Sequence, residues 1–414
     1  MTRARPLVLL ILISAPWMLP ARSAPISAKP KVRAITAFIR IDRIHPEVQV
    51  EEALTFLRTA KAAYEAKGYA VETIRITTQP FPEIVGGLDN EQAMAFFKSF
   101  DALARKESFL PNIGAAMLAG TDAAEAADLL GRILSQTELL NASIIVAQED
   151  GIHWNRIRAA AKTVKFVAEH SPRGEGNFRL AATAMLAPYA PFFPGSYHTG
   201  EGHQFSVGLE SANVVQAVLE NEKSDLDKAT QSLSAELSRF DIECEQIAKE
   251  IEKSSKWVYA GLDPTPAPLA GVSIGDAIEK FIGGRFGSSG TLATAAMITR
   301  AVKTAPIKPI GYVGLMVPVM EDNVLARRWS ESAYNIDSLL SYSAVCGTGL
   351  DTVPLPGEVS EEQLARIIGD MASLAFKWKK PLSARLLPVP GKNAGDRTEF
   401  ENPALTNVML QKLP

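Results

Sequence analysis

An α/β fold built as one large unit around a closed or barrel-like sheet is what this sequence of 414 residues predicts, and three observations predict it. Short apolar or alternating runs recur along the chain, each followed by a stretch of helical periodicity, which gives repeated β-α-β signals. Neither a low-complexity linker nor an internal repeat divides the chain. Finally, 47% apolar against 21% charged residues is the balance of an ordinary globular protein with a large core.

The elements follow in order. Residues 1–23 hold Arg3 and Arg5, then the apolar run PLVLLILISAPWMLP and small residues at Ala21 and Ser23. That is the pattern of a cleaved secretory signal peptide, and the run is too short for a bilayer span of about 20 residues. The expectation is a mature chain from Ala24, secreted or periplasmic; a misassigned start would leave it cytoplasmic. Residues 24–414 are then read as a single α/β barrel domain with helical insertions at about 88–137 and 210–256. VRAITAFIRI (32–41) alternates as a strand, 50–67 reads as a helix, and VETIRITTQP (71–80) alternates again. NASIIVAQ (141–148) is a short apolar strand, a helix covers 156–170, and FRLAATAML (178–186) reads as another strand. Asn141-Ala142-Ser143 is a glycosylation sequon, but in a buried strand it would stay silent.

From Glu210 to Lys256 a long helical pattern breaks near Ser224, and its second half aligns Leu233, Leu237, Phe240, Cys244, Ile247 and Ile251 on one stripe. Cys244 therefore reads as a core residue and a poor disulfide partner. WVYAGLDPTPAP (257–268) is a strand entering a proline-rich loop, SIGDAIEKFI and TLATAAMITRAVK are helical, and GYVGLMVPVMED (311–322) reads as an apolar strand with an acidic end.

Lys plus Arg total 43 against 46 Asp plus Glu, without a basic run, which argues against a nucleic-acid partner. Three segments carry candidate chemistry. SAVCGTGLDTVPLPG (343–357) reads as a shaped loop ahead of a capping box at Ser360-Glu361-Glu362-Gln363. Gly347 and Gly349 beside Cys346 permit close backbone approach and free N–H groups for an oxyanion, while Asp351 and Thr352 add an acceptor and a hydroxyl. A reactive thiol needs a base or cation, and none is adjacent, so Cys346 is either a nucleophile served from elsewhere in the fold or a buried cysteine beside a turn. PFFPGSYHTGEGHQFSVGLESA (191–212) sets His198 and His203 around Glu201; a histidine acid or base suits it better than a metal site. PLSARLLPVPGKNAGDRTEFENP (381–403) offers Arg385, Lys392 and Arg397 for a carboxylate or phosphate, or simply a solvated loop. Asp263 and Asp322 each follow a strand-like run, where functional acids often sit.

The C-terminal block from CGTGLDTVPLPG to GDRTEF, together with AGLDPTPAP…SIGDAIE, GYVGLMVPVMED and FFPGSYH…GLESA, resembles the functionally uncharacterised DUF711 family, also called UPF0210. The resemblance covers most of the chain from Val32 onward and is looser around ASIIVAQEDGIHWNRI. It implies a fold similar to the pyruvate formate-lyase-like glycyl radical enzymes, a ten-stranded α/β barrel with a central cysteine loop, and would put Cys346 inside the barrel. The radical chemistry does not carry over: Gly391 and Gly395 lie in no Arg-Val-x-Gly-Tyr-like motif, and export would separate the chain from an activase.

The combined expectation is a non-radical enzyme, an isomerase, lyase or acyl-transfer catalyst, acting on a small anionic metabolite in a barrel-centred pocket. Cys346 would be nucleophile or proton donor, His198 and Asp351 would assist, and Gly347, Gly349, Thr352, Arg385, Arg397 and Asp263 would bind substrate. No cofactor is expected, a divalent metal at Asp263, Asp322 and the histidines being the weaker reading. The partner is a small-molecule ligand, with no stable membrane span and a homo-oligomer left open. The competing reading is a ligand-binding or scaffold protein that keeps an enzyme-like barrel without turnover.

Overall fold

The alternation that marks the strands sorts side chains onto the two faces of one sheet. In the computed structural model, which describes residues 28–118, 124–222 and 224–413, the strands are β1 (Lys31–Phe38), β2 (Val71–Thr77), β3 (Leu110–Ala116), β4 (Asn141–Gln148), β5 (Gly151–Ile152), β6 (Leu180–Ala184), β7 (Gln204–Glu210), β8 (Val258–Asp263), β9 (Gly349–Pro356) and β10 (Leu382–Val389). They form a ten-stranded sheet in the order β8-β7-β1-β2-β3-β4-β6-β10-β9, with β5 beside β4. The signal-peptide expectation for residues 1–23 lies outside the described residues.

Pairing directions divide the sheet into two halves. β1, β2, β3, β4 and β6 are parallel to one another. β7 and β8 are likewise parallel, as are β9 and β10, and the halves meet antiparallel at β1–β7 and β6–β10. The sheet ends, β8 and β9, share no continuous ladder. Segment 308–320 spans them instead: Leu262 N donates to Lys308 O at 2.9 Å, Ile310 N to Leu262 O at 3.1 Å, and Val319 N to Asp351 O at 3.0 Å. The bridges at Pro309 and Pro318 are both parallel. The run 311–322 thus occupies the tenth wall position without becoming a regular strand.

Outward positions are apolar. Ile76, Ala142, Ile144, Val207, Leu209, Leu262, Leu350, Leu382 and Leu386 join the large cluster that packs the sheet against its helices. The opposite face carries Thr73, Arg75 and Thr77 on β2, Asn112 on β3, Ser143 on β4, Thr183 on β6, Ser206 on β7, Asp351 on β9, and Ser383 and Arg385 on β10. Nearly all of these are buried despite being polar. Burying so many polar groups is costly unless they are partnered, so this inner face is where function is expected.

Two chain segments fill the barrel. The β6–β7 connection brings Pro191 O to Thr36 Oγ1 (3.2 Å) and Arg75 Nη1 (3.3 Å), Pro194 O to Asn112 Nδ2 (2.8 Å), and Ser196 Oγ to Thr77 Oγ1 (2.8 Å). From the far wall, Tyr312 and Met316 meet Leu186, Ala190, Phe192 and Ala267 in a small apolar cluster separate from the main core.

Several sequence expectations need revision. Residues 349–356 are strand β9 rather than loop, 382–389 are β10, 204–210 are β7, and the stretch 88–137, read as helical, holds β3 between helices Asn90–Glu107 and Ala124–Ser135. The helical pattern over 210–256 does break around Ser224, between helices Ala212–Glu222 and Leu226–Ser254, and the stripe through Cys244 is buried as read. The capping box at Ser360 starts helix Glu361–Trp378. Asn141 is nearly buried in β4, consistent with a silent sequon.

Candidate functional site

Strand geometry brings together residues that are far apart in the chain. At the barrel centre a small cavity of about 40 Å³ is lined by Arg33, Arg75, Glu321, Asp351 and Arg385, with Phe192, Phe193, Tyr312, Met316, Thr348 and Ser383 around them. The same Arg33, Arg75, Phe193, Glu321 and Arg385 also line a larger recess of about 220 Å³ beside Asn141, Phe178, Arg179 and Asn402. A charged layer therefore separates an inner chamber from an outer one.

The layer is organised by ion pairs. Arg385 donates through Nε to Asp351 Oδ1 at 2.7 Å and through Nη2 to Glu321. Burial opposes its charge, but Asp351 and Glu321 outweigh burial and hold its pKa above the ordinary value. Arg33 Nη1 donates to Glu210 Oε2 at 2.6 Å, and its Nη2 lies 3.5 Å from Glu321 Oε1. Its pKa is raised too, since Glu321 and Glu210 together overcome its desolvation.

Arg75 differs. Its guanidinium donates to Thr73 Oγ1 (2.9 Å) and Pro191 O (3.3 Å), with the Phe193 ring 4.9 Å away. It has no carboxylate within ion-pairing distance among the described residues, and only 6% of it is exposed. Burial, reinforced by the neighbouring Arg33 charge, pushes its pKa down to about 9. It is a buried cation without a paired carboxylate among the described residues, Glu72 and Glu321 attracting it from beyond pairing distance.

The expected site residues divide accordingly. Asp351 and Arg385 meet at the centre. Thr352 sits at φ 46° with Oγ1 accepting from Met320 N at 3.2 Å, a wall contact. Gly347 donates to Leu315 O at 2.7 Å, and a Cβ there would lie 2.7 Å from Gly314 Cα, so it seals segment 308–320 against β9. Gly349, at φ 92°, would place a Cβ 2.4 Å from Ser383 O, so it allows β9 and β10 to approach. Asp263 is fully buried and accepts from Thr265 Oγ1 (2.5 Å), Thr265 N (3.1 Å), Tyr312 N (2.8 Å) and Val313 N (3.2 Å), which fixes the start of the inner wall segment. Burial raises its pKa to about 6 against the pull of those donors.

Cys346 is 1% exposed and belongs to the main apolar cluster; it is not among the residues lining the central chamber, although Thr348 two positions on is. Its amide donates to Tyr342 O, and its carbonyl accepts from the Lys380 ammonium, which also donates to Ser343 O at 2.8 Å. Burial lowers the Lys380 pKa. A cation absent from the local sequence, Lys380 just ahead of β10, thus lies against the Cys346 backbone carbonyl. His198 is buried, with Nε2 2.9 Å from Ile39 O and the ring against Phe38 and Tyr189; burial lowers its pKa. Arg397 is exposed, in an isolated bridge with Met409, and takes no part in the central layer. Asp322 caps helix Asn323–Ser330 and is bonded by Ser273 Oγ. His203 is exposed and pairs with Glu52. Among the described residues no cluster of three or more His, Cys, Asp or Glu could hold a metal, and no helix is long and apolar enough to cross a membrane.

Sequence reading passed over Arg33, Arg75, Glu321, Tyr312, Thr348 and Ser383. A signal did exist for the arginines: Arg33 interrupts the otherwise buried run VRAITAF, and Arg75 stands between Ile74 and Ile76 in β2, settings in which a charge is uncommon.

A ten-stranded sheet whose ends are bridged by segment 308–320, with charged residues buried at its centre, defines an α/β barrel. The chain belongs to the family described as "Uncharacterised ACR (DUF711)", which matches residues 26–402. It is 30% identical over 378 residues to a UPF0210 protein of Pyrobaculum aerophilum, covering 84% of this chain and 81% of the relative. Similar proteins include a UPF0210 protein of Carboxydothermus hydrogenoformans, 29% identical over 366 residues (84% and 81% covered), and one of Neisseria meningitidis serogroup C, 26% identical over 357 residues (82% and 79% covered).

Proposed function

We propose that the protein binds a small anionic metabolite at the centre of its barrel and acts on it there. The observation that carries this reading is Arg75, buried in the charged layer with no carboxylate partner. An unpaired buried guanidinium is expensive, and an incoming carboxylate or phosphate supplies the missing anion through charge-assisted hydrogen bonds. Asp351, oriented by Arg385, and the Tyr312 hydroxyl stand at the chamber wall as candidates for proton transfer, which suits an isomerisation, lyase or acyl-transfer step.

A second reading keeps Cys346 as the reacting group. The observation in its favour is Lys380, whose ammonium rests on the Cys346 carbonyl and brings a cation to that loop. The thiol would then have to turn out of the apolar core to reach a ligand held near Thr348. Iodoacetamide titration across pH separates the two: a reactive thiol labels well below the ~8.5 of a free cysteine, whereas a packed one labels only on unfolding.

The test of the main reading is a metabolite screen by thermal shift, with product analysis of every stabilising compound, on wild type, Arg75→Met and Cys346→Ser. A small anion that raises the melting temperature of wild type but not R75M, and is consumed, supports it. Stabilisation without consumption would favour the non-catalytic binding protein, and anions that stabilise R75M equally would remove Arg75 from the site.

A further inference from the structure

We infer that the ligand is a short dicarboxylate, one carboxylate meeting Arg75 and the other Arg179 across the larger recess; this rests on the anion-binding reading above and narrows its ligand.

Arg75 and Arg179 both line the recess of about 220 Å³, one from β2 and the other from the residue just ahead of β6. Arg33 and Arg385 line it as well, but they are already held by Glu210, Glu321 and Asp351. Arg179, like Arg75, is bonded only to neutral acceptors. Its Nη1 donates to Leu140 O at 2.9 Å, and its Nη2 to Leu134 O at 2.9 Å and Thr137 O at 2.8 Å. That clamp on the carbonyl end of helix Ala124–Ser135 uses both Nη groups, and Nε has no acceptor among the described residues. The two acids that attract Arg179 from beyond pairing distance are engaged elsewhere. Asp101 accepts from the amides of Glu138, Leu139 and Leu140, and Glu138 pairs with Arg105 at 2.6 Å. Burial brings the Arg179 pKa down to about 10, which leaves it charged at pH 7.

The walls suit flat oxyanions joined by a short chain. The Phe193 ring lies 4.9 Å from the Arg75 guanidinium and the Phe178 ring 4.7 Å from that of Arg385, and both rings line the recess. A ring over a guanidinium face leaves the edge, where the N–H groups point, for a carboxylate in the same plane. Leu110 and Leu139 add apolar lining for methylene groups. The volume falls below the roughly 300–1,000 Å³ of sites for drug-sized ligands, and the chamber beyond it holds only about 40 Å³, so the chain between the two carboxylates is short. Glu138 and Glu321, the acids on the same lining, are paired with Arg105 and Arg385. Neither therefore stands as an uncompensated negative charge beside a dianion.

Titration calorimetry of the full chain at pH 7 tests this with succinate, glutarate and adipate, each set beside the monoacid of equal chain length, butyrate, pentanoate and hexanoate. At least one diacid is expected to bind wild type about tenfold more tightly than its monoacid, from the added charge-assisted hydrogen bond to Arg179. R75M weakens both members of that pair. Arg179→Gln, which keeps an amide donor for the carbonyls of the 134–140 turn, brings the diacid down to the monoacid. A second readout uses wild type alone: the Arg179 Nε–H resonance, assigned by its loss in Arg179→Lys, shifts with the diacid and not with the monoacid. Diacids that bind wild type no more tightly than their monoacids, an advantage that R179Q retains, or an Arg179 Nε–H indifferent to the diacid would overturn the inference, and binding that R75M still weakens would leave the anion site standing. No saturable binding of any of the six, or binding indifferent to R75M, would overturn both.

Discussion

Arg75 and Arg385 lie in the same buried layer, yet their removal should have opposite consequences. Arg385 neutralises Asp351 and shares Glu321 with Arg33, so R385M leaves the buried Asp351 carboxylate without its partner and should cost about 3–5 kcal/mol in urea denaturation. R75M removes a buried cation that no carboxylate pairs with directly and whose charge burial disfavours, and should unfold no more readily than wild type. Asp241, in helix Leu226–Ser254, gives a pH prediction. Both of its carboxylate oxygens are buried without hydrogen-bond partners, and burial raises its pKa well above 3.8. As pH rises past about 4 the unfolded chain releases this proton first, so stability falls until the folded-state pKa is passed, by about 1.4 kcal/mol for each pH unit between the two values. Asp241→Asn, unable to ionise, should match wild type near pH 4 and gain on it progressively toward pH 8 in thermal melts. A constant difference across that range would mean Asp241 is not held protonated.

At the scale of elements, the strands with simple alternation were legible and those carrying glycine and proline were not. β1, β2, β4, β6 and β8 all emerge from apolar periodicity. β9 reads as a loop because Gly349, Pro354 and Pro356 are turn residues in most settings. It tolerates them because it ends the continuous sheet: its second neighbour, segment 308–320, joins it only through isolated contacts, so missing N–H groups leave few acceptors unserved. The run 311–322 shows the converse, an apolar stretch expected to be a strand whose amides at Tyr312 and Val313 bond to Asp263 instead of a ladder. Gly347 and Gly314 lock that segment to the head of β9 with near-contact backbones. Gly347→Ala should therefore force the wall open and destabilise by roughly 1–3 kcal/mol, with weaker anion binding as the wall carrying Tyr312 and Met316 shifts. Unchanged stability and binding would show that the seam is slack.

Over the whole molecule, the sheet is turned with its apolar face to the helices and its polar face inward, and that inversion makes the site. The sequence carried the alternation but not its direction, since an alternating strand has the same pattern whichever face meets solvent or core. Arg33 and Arg75 could therefore pass as outward-facing charges, while Arg385 and Asp351 were legible as a pair of candidates but not as contacts. Only the barrel, by setting β1, β2, β9 and β10 around one axis, brings these four residues and Glu321 together. The family resemblance supplied the barrel, while its central cysteine lies in the core beside Lys380, outside the chamber lining. The central claim is that the charged layer is an anion site completed by a ligand at Arg75. Titration of glutarate into wild type and R75M at pH 7 tests it most directly: the account predicts saturable binding to one site in wild type, weakened at least tenfold in an R75M protein that melts no lower, whereas equal affinity in the two proteins would contradict it.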